Sequence, residues 1–170
     1  MEDFRSNRTR ELSRNNPFGV SFSHHFLWEG VDLSFPGVAG RDGILTPGMD
    51  NKLNDHLMAF KTFQDGLNAG LWLLKAAYFN EGINTGFTIG NKWAGDETGG
   101  YGRSICSIMK VATTDILQFQ HDYLVCLIDA LYRMEDGTKE YIAELQFIPD
   151  EMYVTAIAYA NQKEPLCTAT

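Results

Sequence analysis

The strongest constraint on the fold of this chain is an amphipathic pattern over residues 115–135. Its apolar positions recur at helical spacing and form a single stripe, which consists of Leu117, Leu124, Ile128 and Leu131. Aspartates mark a separate polar face, at Asp115, Asp122, Asp129 and Asp136. The pattern predicts one long helix, with Thr113 or Thr114 as its N-cap.

Glu135 stands at the end of this pattern, in line with the apolar stripe, because successive helical residues are about 100° apart. A carboxylate on the core side of a helix end faces either a cleft or a buried partner. Desolvation in such a place raises the pKa of a carboxylic acid, as general-acid catalysis requires. The alternative is that the helix ends before Glu135 and that its carboxylate reaches water.

The composition predicts one domain that covers all 170 residues. Hydrophobic residues make up 44% of the chain and aromatic residues 12%, so a sizeable core can be buried. The formal net charge of −8 argues against sequence-independent binding to nucleic acid, which needs a basic surface. A group of arginines between Arg5 and Arg14 could contact an anionic partner, but we interpret it as a solvated segment or a set of ion pairs.

Cysteine usage and hydropathy exclude several other classes of protein. The 3 cysteines are too few and too scattered for a disulfide framework, and Cys106 and Cys126 lie in apolar helical patterns that predict small core residues. The adjacent pair His24-His25 is a poor metal site, because neighbouring side chains rarely bind one ion. We therefore expect no metal and no cofactor. The sequence also shows no signal peptide and no apolar run of about 18 residues that could span a membrane.

The sequence divides into three segments by composition. Residues 1–16 are charged, residues 17–56 are rich in loop-forming Gly and Pro, and residues 57–162 show helical periodicity. VSFSHHFLW at 20–28 predicts a strand. Further helices are predicted from residue 64 to about Tyr78, over 83–93, over 99–111, and from Pro149 to about Gln162. We expect a mainly α fold with a short N-terminal extended region.

Short motifs follow one another along the chain, each unspecific alone. They are RNNPFG at 14–19, WEG at 28–30, FKTF at 60–63 with Gly66, YFNEGINT at 78–85, Trp93-Ala94, Thr98 to Tyr101, and LIDALYRMEDGTKEY at 127–141. In this order they resemble a family of phage proteins that are virion structural components or degrade peptidoglycan. The pattern of that family includes RNNNPGNIR, WxG, FxxF and RHENG. The resemblance spans about residues 14–160 and implies a small α+β lysozyme-like domain.

The chain departs from the family pattern at three places. NPFGV at 16–20 replaces NPGNI and looks more like the NNLFGIK turn of bacterial glucosaminidases. RMEDG at 133–137 replaces RHENG, so that Met134 stands where the family has a histidine. An insertion rich in Gly and Pro covers about 31–55. The RxExG step also looks like the helix end of lysozyme-like enzymes and lytic transglycosylases, where a single Glu precedes a Gly.

The resemblance implies that the chain binds or cleaves peptidoglycan, as a glycan hydrolase or a lytic transglycosylase, with Glu135 as the general acid. Asp136 adds a like charge that raises the pKa of Glu135. The substrate site would be lined by Asn16, Trp28, Tyr101 and Tyr141. Candidates for a second carboxylate are Glu11, Asp96 and Glu97, although a lytic transglycosylase needs none because a hydroxyl of the sugar attacks.

Two other functions stay open. The first is a catalytically inert virion structural component, in which Glu135 pairs with Arg133 or caps a backbone and the acidic surface serves assembly. The second is an intracellular α-helical binding protein. For the phage interpretation, we expect peptidoglycan and other virion proteins as partners, no nucleic acid, and a location in the virion or the host cytoplasm.

Overall fold

The computed structural model describes residues 15–20, 28–32, 34, 58–135 and 148–163. This part of the chain is mainly helical, as predicted. Its helices are α1 (Phe63–Ala77), α2 (Gly86–Ala94), α3 (Gly100–Met109), α4 (His121–Glu135) and α5 (Asp150–Gln162), with a 3₁₀ turn at Phe79–Glu81. The strand predicted at 20–28 falls largely on residues 21–27, which lie outside the described residues.

The chain divides into two compact units, which are described separately below. The first unit contains the described residues of Met1–Trp72 and Ala158–Thr170, and the second those of Leu73–Ile157. Both boundaries fall inside helices, α1 and α5, and no linker marks them. The prediction of a single domain over residues 1–170 therefore stays a prediction.

Helix α1 begins with a capping box. The Thr62 hydroxyl accepts a hydrogen bond from the Asp65 amide at 3.1 Å, and the Asp65 carboxylate accepts one from the Thr62 amide at 3.2 Å. These bonds satisfy amides that have no partner within the helix. Leu67, Leu71 and Leu74 recur at helical spacing and are fully buried, so they form the apolar stripe of this helix.

A lysine caps the C-terminal end of α1 in the second unit. Lys92 of α2 donates a hydrogen bond from Nζ to the carbonyl of Ala77, the last residue of α1, at 2.6 Å. The same ammonium lies 4.7 Å from the centroid of the Tyr78 ring. A cation at a helix C-terminus is favoured by the helix dipole and satisfies an otherwise unpaired carbonyl.

Helices α2 and α3 pack closely because both present glycines at their contact. A Cβ atom built on Gly102 would lie 2.2 Å from the carbonyl oxygen of Phe87, and one on Gly90 would lie 3.0 Å from the Cα of Gly102. The side chain of Asn91 accepts a hydrogen bond from the Gly102 amide at 2.7 Å. The close approach of α2 thus explains Gly102, a residue type that weakens a helix locally.

Helix α4 starts at His121, so the predicted start at Asp115 and the predicted N-cap at Thr113 or Thr114 are wrong. The preceding residues make other contacts. The amide of Leu117 donates to the carbonyl of Asn84 at 2.7 Å, and Ile116 forms an antiparallel bridge with Thr85. Backbone pairing with a distant segment has overridden a local helical pattern.

The apolar stripe is buried nevertheless. Leu117, Leu124, Ile128 and Leu131 are each no more than 2% exposed, as predicted. On the polar face, the Asp122 carboxylate is exposed and Asp129 accepts a hydrogen bond from Arg133 at 2.8 Å. Leu117 reaches the core from an extended segment, and the other stripe residues reach it from α4.

The two described cysteines differ in their surroundings. Cys106 is buried, as predicted, whereas Cys126 is exposed, so its predicted place in the core is wrong. Leu124 and Ile128 lie on the buried face of α4. Position 126 is about 200° around the helix from each of them, so it lies on the opposite, exposed face. Neither Cys106 nor Cys126 forms a disulfide.

The described helices are short. The longest, α1 and α4, have 15 residues each. An α-helix needs about 20 apolar residues to cross a bilayer. No helix in the described part of the chain is long and apolar enough to span a membrane.

Replacing Ile128 with alanine tests the packing of the α4 stripe. Ile128 is 1% exposed, so its truncation leaves a cavity in the core. We expect the Ile128→Ala variant to lose roughly 2–5 kcal/mol of unfolding free energy in chemical denaturation. Val154→Ala is the control, because Val154 is 57% exposed and should change stability by less than about 0.5 kcal/mol. Equal losses in both variants would contradict the buried stripe.

Candidate functional site

The residues predicted to form the site fall in different parts of the structure. Asn16 and Trp28 belong to the first unit, and Tyr101 and Glu135 to the second. Tyr141 lies outside the described residues, as do Glu11 and Asp136.

The NNPFG turn, residues 15–19, is held together by the side chain of Asn16, which is fully buried. The side-chain oxygen of Asn16, Oδ1, accepts a hydrogen bond from the Val20 amide at 2.8 Å. Its NH₂ group donates to the carbonyls of Val20 and Met58, each at 2.8 Å. Both amide protons are therefore used inside the fold. This arrangement favours a structural role, and a role of Asn16 in substrate binding stays a prediction.

The NNPFG turn packs against α1 at two glycines that are one helical turn apart. A Cβ atom on Gly66 would lie 1.8 Å from the carbonyl oxygen of Asn15, and one on Gly70 would lie 1.8 Å from a ring carbon of Phe18. No larger side chain fits at either position without displacing the turn. Two glycines four residues apart inside a helix were visible in the sequence, and this signal could have located the contact.

The WEG motif, residues 28–30, is also built into the first unit. Trp28 is 3% exposed and meets Trp72 of α1 edge to face, with ring centroids 5.5 Å apart. Gly30 has a φ of +69°, and a Cβ atom there would lie 2.4 Å from Cγ of Asp65. Stacking on a sugar requires an exposed ring, so the burial of Trp28 favours a packing role. Its predicted role in substrate binding stays a prediction.

Glu29, the middle residue of the WEG motif, holds the C-terminal part of α5. Its carboxylate accepts a hydrogen bond from the Tyr159 hydroxyl at 2.9 Å and forms an ion pair with Lys163. Burial raises the pKa of Tyr159, and the hydrogen bond to Glu29 adds to this effect. The partners are 130 or more residues apart in sequence, so no local pattern could have revealed the contact.

In the second unit, Asp96 caps the start of α3. Its carboxylate accepts hydrogen bonds from the Thr98 hydroxyl at 2.6 Å and from the Tyr101 amide at 2.7 Å. These donors, with the Thr98 hydroxyl the largest contributor, lower the pKa of Asp96 to about 2. A carboxylate with so low a pKa is a weak base near neutral pH. The structure therefore favours a capping role for Asp96 over that of a second catalytic carboxylate.

Tyr101 lies in the first turn of α3 and is partly exposed. Its backbone amide is held by Asp96, so the capping interaction also fixes the position of this residue. Among the predicted substrate-binding residues that the structure describes, Tyr101 has the most accessible side chain. Its role in binding stays a prediction.

Helix α4 extends through Glu135, so the alternative in which it ends earlier is wrong. Position 135 follows Leu131 by four residues and Ile128 by seven. The side chains of Leu131 and Ile128 are both buried. The position therefore continues the buried line of α4. Only the backbone of Glu135 is described. Arg133, its predicted partner in the inert alternative, donates a hydrogen bond to Asp129.

Sequence comparisons add no family to these observations. No protein-family model matches the chain, and no curated protein matches it. The resemblance to the phage family rests on the order of the motifs and stays a prediction. Within the described ranges, no three His, Cys, Asp or Glu side chains come together as a candidate metal site.

The contact between the NNPFG turn and α1 can be tested with Gly66→Ala. The added methyl group would meet the Asn15 carbonyl, and overpacking of this kind costs roughly 1–3 kcal/mol of unfolding free energy. Gly100→Ala is the matched control, because its new Cβ would have no neighbour closer than 3.5 Å. Chemical denaturation should show a loss for Gly66→Ala and no loss for Gly100→Ala. Equal stability of both variants would contradict the contact.

The capping role of Asp96 predicts an unusual titration. Its carboxyl carbon should titrate near pH 2 in an NMR acid titration, well below the ordinary value of 3.8. A lowered pKa means that Asp96 stabilises the fold above pH 3.8 and loses this effect as the pH falls towards 2. Thr98→Val removes the main donor and should raise the pKa of Asp96. A wild-type midpoint at the ordinary value would contradict the cap.

Proposed function

We propose that this protein acts on peptidoglycan as a lysozyme-like glycan hydrolase or lytic transglycosylase, with Glu135 as the general acid. The observation that carries the proposal is the course of α4. The helix extends through Glu135, and position 135 continues the line of Ile128 and Leu131, which are buried. In this proposal, the carboxyl group of Glu135 is partly removed from water, which would favour its protonated form.

The proposed chemistry is proton transfer to the glycosidic oxygen. The Glu135 carboxyl group donates its proton as the bond between the sugar carbon and that oxygen breaks. In a lytic transglycosylase, a hydroxyl of the same sugar then attacks the carbon and gives its proton to the Glu135 carboxylate, so that no second carboxylate is needed. The capping role and low pKa of Asp96 support this one-carboxylate version over a mechanism in which Asp96 acts as a base.

In this proposal, the NNPFG and WEG motifs have a structural role in the first unit. Asn16 closes the NNPFG turn, and Trp28 packs on Trp72, so both motifs shape the first unit around α1. In this proposal, substrate contacts come from partly exposed side chains such as Tyr101, together with Tyr141. Mass spectrometry of the released sugars would identify the cleaved bond and separate the two reactions, because hydrolysis leaves a new reducing end and the attack of a sugar hydroxyl leaves an anhydro sugar.

A catalytically inert virion component is the second candidate, and one observation favours it. Asn16 and Trp28, two of the residues that the sequence predicted to bind substrate, are buried by internal contacts. The same motifs could therefore persist for folding after catalysis was lost. This candidate would bind peptidoglycan or other virion proteins, in the virion or the host cytoplasm.

A clearing assay on purified peptidoglycan tests the catalytic role. Glu135→Gln removes the acidic proton but keeps the size of the side chain, so cleavage should fall roughly 100-fold or more. Glu151→Gln is the matched control, because Glu151 is an exposed residue of α5 and the chemical change is identical. Circular dichroism would show that both variants retain the helical fold.

The possible outcomes separate the candidates. Full activity of Glu135→Gln would place the chemistry at another residue. A wild-type protein that sediments with peptidoglycan from several bacteria but cleaves none of them would support the inert component. Equal loss of activity in Glu135→Gln and Glu151→Gln would point to a general effect on the protein and not to acid catalysis.

A further inference from the structure

His121, the first residue of α4, lies between two carboxylates from different helices. Its Nδ1 is 3.1 Å from Oδ1 of Asp122, the next residue of α4. Its Nε2 is 3.3 Å from Oδ1 of Asp150, the first residue of α5. The imidazole ring also meets the ring of Tyr153 edge to face, with centroids 5.8 Å apart. The side chain of His121 thus joins the first turns of α4 and α5.

Only the protonated ring fits both neighbours. An imidazolium has an N–H on each nitrogen, whereas neutral imidazole has one N–H and one lone pair. In the neutral state, a ring lone pair would face the carboxylate of either Asp122 or Asp150. Nε2 is buried and makes no hydrogen bond, so its contact with the Asp150 carboxylate is an ion pair that depends on the charge of the ring.

We propose that His121 is a pH-dependent clip, which fastens the first turn of α5 to the first turn of α4 when the imidazole is protonated and loosens it when the proton is lost. This property is independent of the proposed action on peptidoglycan. It concerns the described segment from Asp150 to Ile157, whose contacts with α4 lie within the second unit.

The charges around His121 favour its protonated state. The hydrogen bond with Asp122 raises the pKa of His121 most, the charge of Asp150 adds to it, and desolvation opposes both. Tyr153 is neutral near physiological pH, because burial and then the charges of Asp129 and Asp150 raise its pKa to about 12. Helix α3 also packs on α4 and carries the cation Arg103. The guanidinium of Arg103 donates a hydrogen bond to the Thr98 carbonyl within α3 and its N-terminal turn.

The direction of the pH effect follows from the raised pKa. A group with a higher pKa in the folded state contributes its full stabilisation below its unfolded value, here 6.5. That contribution is lost as the pH rises through the folded value. The clip is therefore closed at mildly acidic pH and opens towards alkaline pH. Both carboxylates are largely exposed, so the effect is local and small.

Hydrogen exchange with mass spectrometry can detect the clip. Protection factors of peptides covering 150–157 would be compared at about pH 6 and about pH 9, on either side of the histidine titration. We expect a roughly two- to five-fold decrease at the higher pH in the wild type. In His121→Gln the protection should be low at both pH values. Peptides of α2 serve as the internal reference, and their protection should not change.

NMR titration of the His121 imidazole provides a second measurement that does not depend on α5 opening. Asp150→Asn should lower the midpoint of His121, whereas the neighbouring control Glu151→Gln should leave it unchanged. His121→Gln identifies the resonance among the 4 histidines of the chain. An unchanged midpoint in Asp150→Asn would overturn the proposal. The same pH response of exchange in His121→Gln and the wild type would also overturn it.

Discussion

The first unit depends on the close contact between the NNPFG turn and α1. The carbonyl of Asn15 and the ring of Phe18 occupy the space that side chains at Gly66 and Gly70 would need. Each glycine inside a helix costs roughly 0.5–1 kcal/mol of helix stability relative to alanine. The contact offsets this cost by burying Phe18 and by letting Asn16 bond to the backbone of Met58. The turn and the helix therefore stabilise each other.

Local periodicity predicted most of the helical structure but not the contacts between distant segments. The stripes of α1 and α4 repeat at 3.6 residues, so their buried positions could be inferred from spacing alone. Leu117 keeps the same period but lies in a segment that pairs with Asn84, and this moved the start of α4 to His121. The exposure of Cys126 could have been inferred from the stripe itself, whose buried residues lie on the opposite side of the helix.

The candidate site shows the same division between local and distant information. The place of Glu135 at the end of a helix followed from the pattern of α4, and the structure has it there. The burial of Asn16 and Trp28 could not be inferred, because it depends on contacts with Met58 and Trp72, more than 40 residues away. The NNPFG and WEG motifs thus build the scaffold of the first unit, although their polar and aromatic residues suggest ligand binding.

The ion pair of Glu29 with Lys163 has a consequence for synthesis of the chain. The first unit is completed only by residues from Ala158 onward, whereas the residues of the second unit are contiguous from Leu73 to Ile157. During translation, contacts within the second unit can form before the last turns of α5 leave the ribosome. Glu29 must meanwhile wait for its partners Tyr159 and Lys163. Glu29 is thus synthesised long before the side chains that it binds, and its contacts form late in the folding of the first unit.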